Sequence, residues 1–111
     1  MLVEVLHFDH EQTTYEKVAE VTFDTARSVE EALEYAWRWT NNIDGSWSIQ
    51  KMVFENGMFN GDYNAAVKVC KPLISHQGRE YGHRSSMMGD RFIVDGVAYK
   101  VAMAGFKKVE D

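Results

Sequence analysis

Residues 28–47 read SVEEALEYAWRWTNNIDGSW, and this stretch holds all three tryptophans of the chain. It is the one strong helix signal. Ser28 suits an N-cap, because its hydroxyl can accept from the unpaired N–H groups of the first turn. Glu31, three residues on, completes a capping box. Glu30, Glu31 and Glu34 lie near the positive end of the helix dipole. Val29, Ala32, Leu33, Ala36, Trp37 and Thr40 recur at i, i+3, i+4, i+7, so they are expected on one buried face. Tyr35 and Trp39 fall one turn apart on the flank of that face. Asn41 and Asn42 can end a helix in the left-handed conformation, and Asp44-Gly45 can then turn the chain. The spacing predicts a helix over about residues 29–41.

Outward from the helix, the chain reads as short strands and turns. Leu2 to Phe8 and Tyr15 to Phe23 alternate apolar with polar and predict an antiparallel pair across the polar segment 9–14. After the helix, Trp47 to Phe54 reads as a third strand. Asn56-Gly57 and Asn60-Gly61 are turn signals, with Met58-Phe59 between them as a very short strand or an apolar loop tip. Ala65 to Cys70 reads as a strand that Pro72, the only proline, should terminate. Arg91 to Val94 should pair with Val97 to Met103 across Asp95-Gly96, and Gly105 to Val109 can extend the sheet. The order β-β-α-β-β-β-β predicts an α+β fold, with one amphipathic helix packed on a mainly antiparallel sheet. Residues 1–111 read as a single domain.

Composition excludes several classes of function. One cysteine, Cys70, leaves no internal disulfide framework and fits a reducing compartment. The N-terminal MLVEVLHF lacks the basic and apolar regions of a signal peptide, and no apolar run nears a membrane span. The expected location is the cytoplasm, with no membrane association. Residues 1–55 carry eleven acids and four bases, whereas 56–111 carry six acids and eight bases. With a net charge of −5, the chain lacks an overall basic footprint for nucleic acid.

His7 and His10 have H-x-x-H spacing, but a strand does not bring i and i+3 to one face, and no second ligand pair follows. No metal or other cofactor is therefore expected. Cys70 ends an apolar strand and reads as a buried, inert thiol. Nucleotide-binding glycine motifs and nucleophile elbows are absent from the sequence, so no enzymatic chemistry is predicted.

Residues 71–90 show no clear period, and over 71–91 the bases Lys71, Arg79, Arg84 and Arg91 outnumber the acids Glu80 and Asp90. With Tyr81, these bases could grip phosphates and stack a base; the competing reading is an ordinary solvated loop. The acidic first half could instead mimic nucleic acid. A third candidate is the helix flank, where Tyr35 and Trp39, rimmed by Glu34 and Arg38, have the character of a protein-binding hot spot. Its partner would be a host protein or a second copy of the chain.

The helix end TNNIDGSW, the run RSSMMGD and a D-G hairpin leading to VAMAGF together resemble a group of small uncharacterised proteins carried by bacteriophages and plasmids. That group has an acidic helix running into T-N-x-I-x-x-x-W and an R-S-x-S-x-G-D stretch before a final hairpin ending in G-F. Thr40, Asn41, Ile43, Trp47, Arg84, Ser85, Gly89, Asp90, Gly96, Tyr99, Val101, Gly105 and Phe106 match. Met87 stands where the group has serine, and the section around Asn56 to Asn64 is longer. The resemblance implies provenance from a mobile genetic element, and so an accessory protein that acts on a host machine. The leading expectation is binding to a host bacterial protein, such as a component of defence or transcription, which such binding could inhibit. It carries over no functional residues.

Overall fold

The computed structural model describes residues 1–110. Eight strands and one helix follow in the order β1 (Leu2–Asp9), β2 (Thr14–Thr22), α1 (Val29–Trp39), β3 (Val67–Val69), β4 (Ile74–His76), β5 (Arg79–Tyr81), β6 (Arg91–Val94), β7 (Val97–Val101) and β8 (Phe106–Lys108). Six strands form one antiparallel sheet in the order β3-β2-β1-β6-β7-β8, and β4 and β5 form a separate hairpin. The fold is α+β, with α1 lying on one face of the large sheet. No helix of the described residues is long and apolar enough to cross a membrane.

The helix begins as its sequence predicts. Ser28 is extended, and its hydroxyl accepts from the Glu31 N–H at 3.1 Å. The Glu31 carboxylate reaches one residue further back than a standard box and accepts from the Arg27 N–H. The C-terminus differs. The helix ends at Trp39 with Thr40 as cap, and neither asparagine adopts positive φ. Instead, the Asn41 amide donates to the Trp37 carbonyl, and the Thr40 hydroxyl donates to the Ala36 carbonyl. Side chains satisfy the orphan carbonyls that a left-handed cap would otherwise serve.

Ala32, Leu33 and Ala36 pack into a core with Val3, Val5, Val18, Val21, Phe92 and Val94. Small residues at 32 and 36 let the helix approach the sheet closely. Cys70 departs from its expected burial and is exposed, because β3 ends at Val69 and leaves it just past the strand. Trp37 departs likewise and is 36% exposed. It stands about 100° around the axis from Ala36, at the margin of the arc that meets the sheet.

The predicted strand 47–54 does not form; only an isolated bridge, Val53 to Phe59, is found there. The reason is Asn60, which is fully buried. Its amide nitrogen donates to the carbonyls of Ser46, Ile49 and Lys51, each at 3.0 Å. Those carbonyls would otherwise serve a ladder. The aperiodic stretch 71–90 contains the hairpin β4–β5, turning on Gln77 and Gly78, both at positive φ. Gln is a weak signal for that conformation, which hides the turn in the sequence. Asp95-Gly96 makes the same turn and was legible.

Candidate functional site

The polar centre of the protein lies where the chain leaving α1 meets the segment 83–90. The Ser86 N–H donates to the Thr40 carbonyl at 2.9 Å, and the two hydroxyls lie 2.7 Å apart. The Asn42 N–H donates to the Ser85 hydroxyl, and the Asn42 amide donates to the His83 carbonyl. Asn42 Oδ1 in turn accepts from the Trp47 N–H, and the Trp47 indole N–H donates to the Arg84 carbonyl at 2.8 Å. The two segments TNNIDGSW and RSSMMGD are thus one interlocked junction.

Asp90 anchors it from the other side. Its buried carboxylate takes two hydrogen bonds from the Arg84 guanidinium, at 2.8 and 2.9 Å, and one each from the N–H groups of Phe8 and Met87. Burial works to raise the Asp90 pKa, but these donors outweigh it and hold the carboxyl below its usual range. His7 Nε2 lies 3.0 Å from the Ser86 hydroxyl and 3.8 Å from Asp90.

This His-Ser-Asp set is not arranged as a hydrolytic triad. A triad divides the two imidazole nitrogens between nucleophile and carboxylate. Here both partners sit at Nε2, and the serine hydroxyl is buried against Thr40. Its chemistry is that of a satisfied polar core.

Burial pushes the His7 pKa down from 6.5 to about 4; Asp90 pulls the other way, while Arg84, His83 and Lys71 add to the fall. The unfolded chain therefore binds a proton at His7 that the native chain resists. Stability is expected to hold above pH 6.5 and to drop by about 3 kcal/mol as pH falls toward 4. Urea midpoints measured across that range check this, and His7→Gln should flatten the profile. An unchanged midpoint from neutral pH down to 5 would contradict the assignment. The depressed Asp90 adds a loss in the same direction at still lower pH.

Beside the junction, His7, His10, Glu16, Lys71, His83 and Arg84 contribute to an open cleft of about 370 Å³. Its two cations are matched, because Lys71 bonds Glu16 and Arg84 bonds the neighbouring Asp90, whereas Asp9 and Glu11 of the same cleft are in no ion pair among the described residues. His83 Nε2 lies 2.7 Å from the Lys71 carbonyl, and the His10 ring packs edge-on against Phe8. Among the described residues, no group of three or more metal-ligating side chains converges.

The bases of the 71–91 stretch do not gather into one grip. Lys71 and Arg84 are held by carboxylates. Arg91 stacks over Tyr15 at 4.5 Å, on the outer face of the sheet. Arg79 and Tyr81 remain on the β4–β5 hairpin, where they line a larger cleft of about 550 Å³ with Lys51 and Phe54.

The helix flank is assembled more closely. Tyr35 stacks on Phe23 at 4.2 Å and accepts from the Asn64 amide, and Arg38 covers the Trp39 ring at 4.1 Å. Arg38 also donates to Asp62, whose fully buried carboxylate accepts from the Ile43 and Asp44 N–H groups. Tyr35 and Trp39 are half-buried and Glu34 is exposed.

One surface went unassigned in the sequence. Met52, Val53, Met58 and Phe59 are all exposed on a projecting hairpin around Glu55-Asn56-Gly57, and Ile43 is exposed near its base. Its signal was the pair of apolar dipeptides flanking an N-G turn. Comparison with protein-family models, with curated proteins and with solved structures finds no match.

Proposed function

We propose that this is a small accessory protein of the phage or plasmid type that binds a host bacterial protein in the cytoplasm, without enzymatic activity of its own. The observation that supports this reading is the hairpin 52–60, which holds large apolar side chains in solvent: Val53 is 53% exposed and Phe59 is 68% exposed. Val53 and Phe59 are paired across the hairpin, and adjoining exposed apolar side chains, unlike singly scattered ones, are the kind of surface that marks interaction sites. The hairpin is also pre-organised. Three backbone hydrogen bonds, from Phe54 to Met58, Gly57 to Phe54 and Asn60 to Met52, close it. Little ordering entropy would be lost on binding. Methionines at 52 and 58 can adapt to a partner's contour. The helix flank, with Tyr35, Trp39, Arg38 and Glu34, offers the aromatic part of the same interaction.

The test combines Val53→Ser with Phe59→Ser. Both side chains are exposed, so the urea midpoint should stay close to that of the parent. Capture of a host protein from bacterial lysate should fall by about thirtyfold or more, the scale of a hot-spot loss. Normal capture by the stable double variant would refute the assignment. Sedimentation of the parent alone separates the partners: a dimer that the double variant abolishes would make a second copy, not a host protein, the occupant.

A further inference from the structure

The sheet face turned away from α1 carries a row of cations set by strand register. Lys17 lies opposite Leu6, Leu6 opposite Arg91, Arg91 opposite Lys100, and Lys100 opposite Lys107. Directly opposed residues of antiparallel strands project from the same face, roughly 5 Å apart. At one end the row is neutralised, because Lys17 bonds both Glu4 and Glu20. At the other end, Arg91, Lys100 and Lys107 form no salt bridge among the described residues. Like charges directly opposite one another destabilise a sheet. Three adjacent cations therefore call for an external anion.

The row runs beside an apolar slot. The Arg91 guanidinium rests on the Tyr15 ring, and Tyr15 packs against Phe8 at 5.1 Å. The Tyr15 hydroxyl donates to the Gly89 carbonyl, which fixes the ring. Phe8, His10, Tyr15, Met87 and Met88 line a slot of about 250 Å³, and both methionines are exposed. Asp90 borders the slot, so an anionic group is disfavoured there and a neutral planar one is favoured.

We propose that this face binds single-stranded nucleic acid, with consecutive phosphates along Arg91, Lys100 and Lys107 and one unstacked base in the slot of Phe8, Tyr15, Met87 and Met88. Cations that track a backbone, together with aromatics that stack bases, form the sequence-tolerant mode of single-strand recognition. This site is separate from the apolar hairpin and stands without the protein-binding reading. It also relocates nucleic-acid chemistry away from the cations of the 71–91 stretch, of which only Arg91 takes part, while Met87 and Met88 of that stretch line the slot.

The experiment is fluorescence anisotropy with a labelled oligothymidine of roughly 12 nucleotides, titrated with salt upward from about 25 mM. Neutralising three phosphates predicts a log–log salt slope of about −2. Lys100→Ser with Lys107→Ser should weaken binding at least about tenfold and reduce the slope to about −0.7, while leaving host-protein capture intact. Tyr15→Leu should weaken binding roughly fivefold or more without changing the slope, since it removes stacking and not charge. Lys68→Ser, in the neutralised half, should change neither. Absence of binding at the lowest salt, or a slope insensitive to Lys100 and Lys107, overturns the proposal. So does equal binding of phosphatidylserine vesicles with no dependence on Tyr15, which would make the row a general anion patch.

Discussion

Trp47→Ala is expected to destabilise the protein by about 3–5 kcal/mol, a large part of the 5–15 kcal/mol typical of such domains. The indole is fully buried, edge-on to His7 and tilted against His83, each at 6.0 Å between ring centres. It fills the space between the sheet and the loop that follows α1. Alanine would leave a cavity that this hydrogen-bonded junction cannot readily collapse, and the Arg84 carbonyl would lose its indole donor. Trp47→Phe separates the two contributions. It restores most of the ring volume but not the N–H, so the residual loss should be about 1–3 kcal/mol. Urea unfolding followed by far-ultraviolet circular dichroism measures both. A loss under about 1 kcal/mol for the alanine variant would mean that Trp47 does not wedge the junction.

Asn60→Asp should be as damaging, although it changes almost no volume. The Asn60 amide nitrogen donates to three carbonyls, while its oxygen accepts from the N–H groups of Ser46 and Asp62. The site is closed around it: a Cβ at Gly45 would collide with that amide oxygen. A carboxylate here would turn acceptor against acceptor at three carbonyls while buried. Leaving buried polar groups unpaired costs about 1–3 kcal/mol each, and a charge raises the figure. A total loss of at least about 3 kcal/mol is expected, and the 43–62 loop should open before the sheet. Hydrogen exchange reports that order: N–H groups of residues 43–62 should lose protection while those of β1 and β6 keep theirs. Unchanged protection throughout would show that Asn60 does not organise the loop.

Asn60 also marks the limit of what could be read along the chain. In sequence it is the first residue of an N-G turn signal. In the fold it replaces a strand's worth of hydrogen-bond partners for the segment 46–51. Nothing local distinguishes the two, because the three carbonyls it serves lie 9 to 14 residues away. The same holds for the bases of the 71–91 stretch. Their spacing suggested one cluster, but Glu16 holds Lys71 and Asp90 holds Arg84, while Arg91 joins a row of lysines from β7 and β8. The flank formed by Tyr35 and Trp39 was visible as a helical offset; the stacking of Phe23 on it was not.

By itself the sequence determined the α+β class, the start of the helix at Ser28, the pairing of the first two strands and the hairpin on Asp95-Gly96. Each depends on periodicity, capping or turn chemistry within a few residues, and such short-range terms survive without knowledge of the rest of the chain. Tertiary structure alone decided which polar groups meet. The His7–Ser86, Arg38–Asp62 and Thr40–Ser86 contacts join residues 79, 24 and 46 positions apart. It also decided which cations stay unmatched, because pairing of β1, β6, β7 and β8 sets Arg91, Lys100 and Lys107 side by side. The physical reason is that burial selects partners by proximity in space: a polar group leaving water must bond whatever the packed backbone brings within reach.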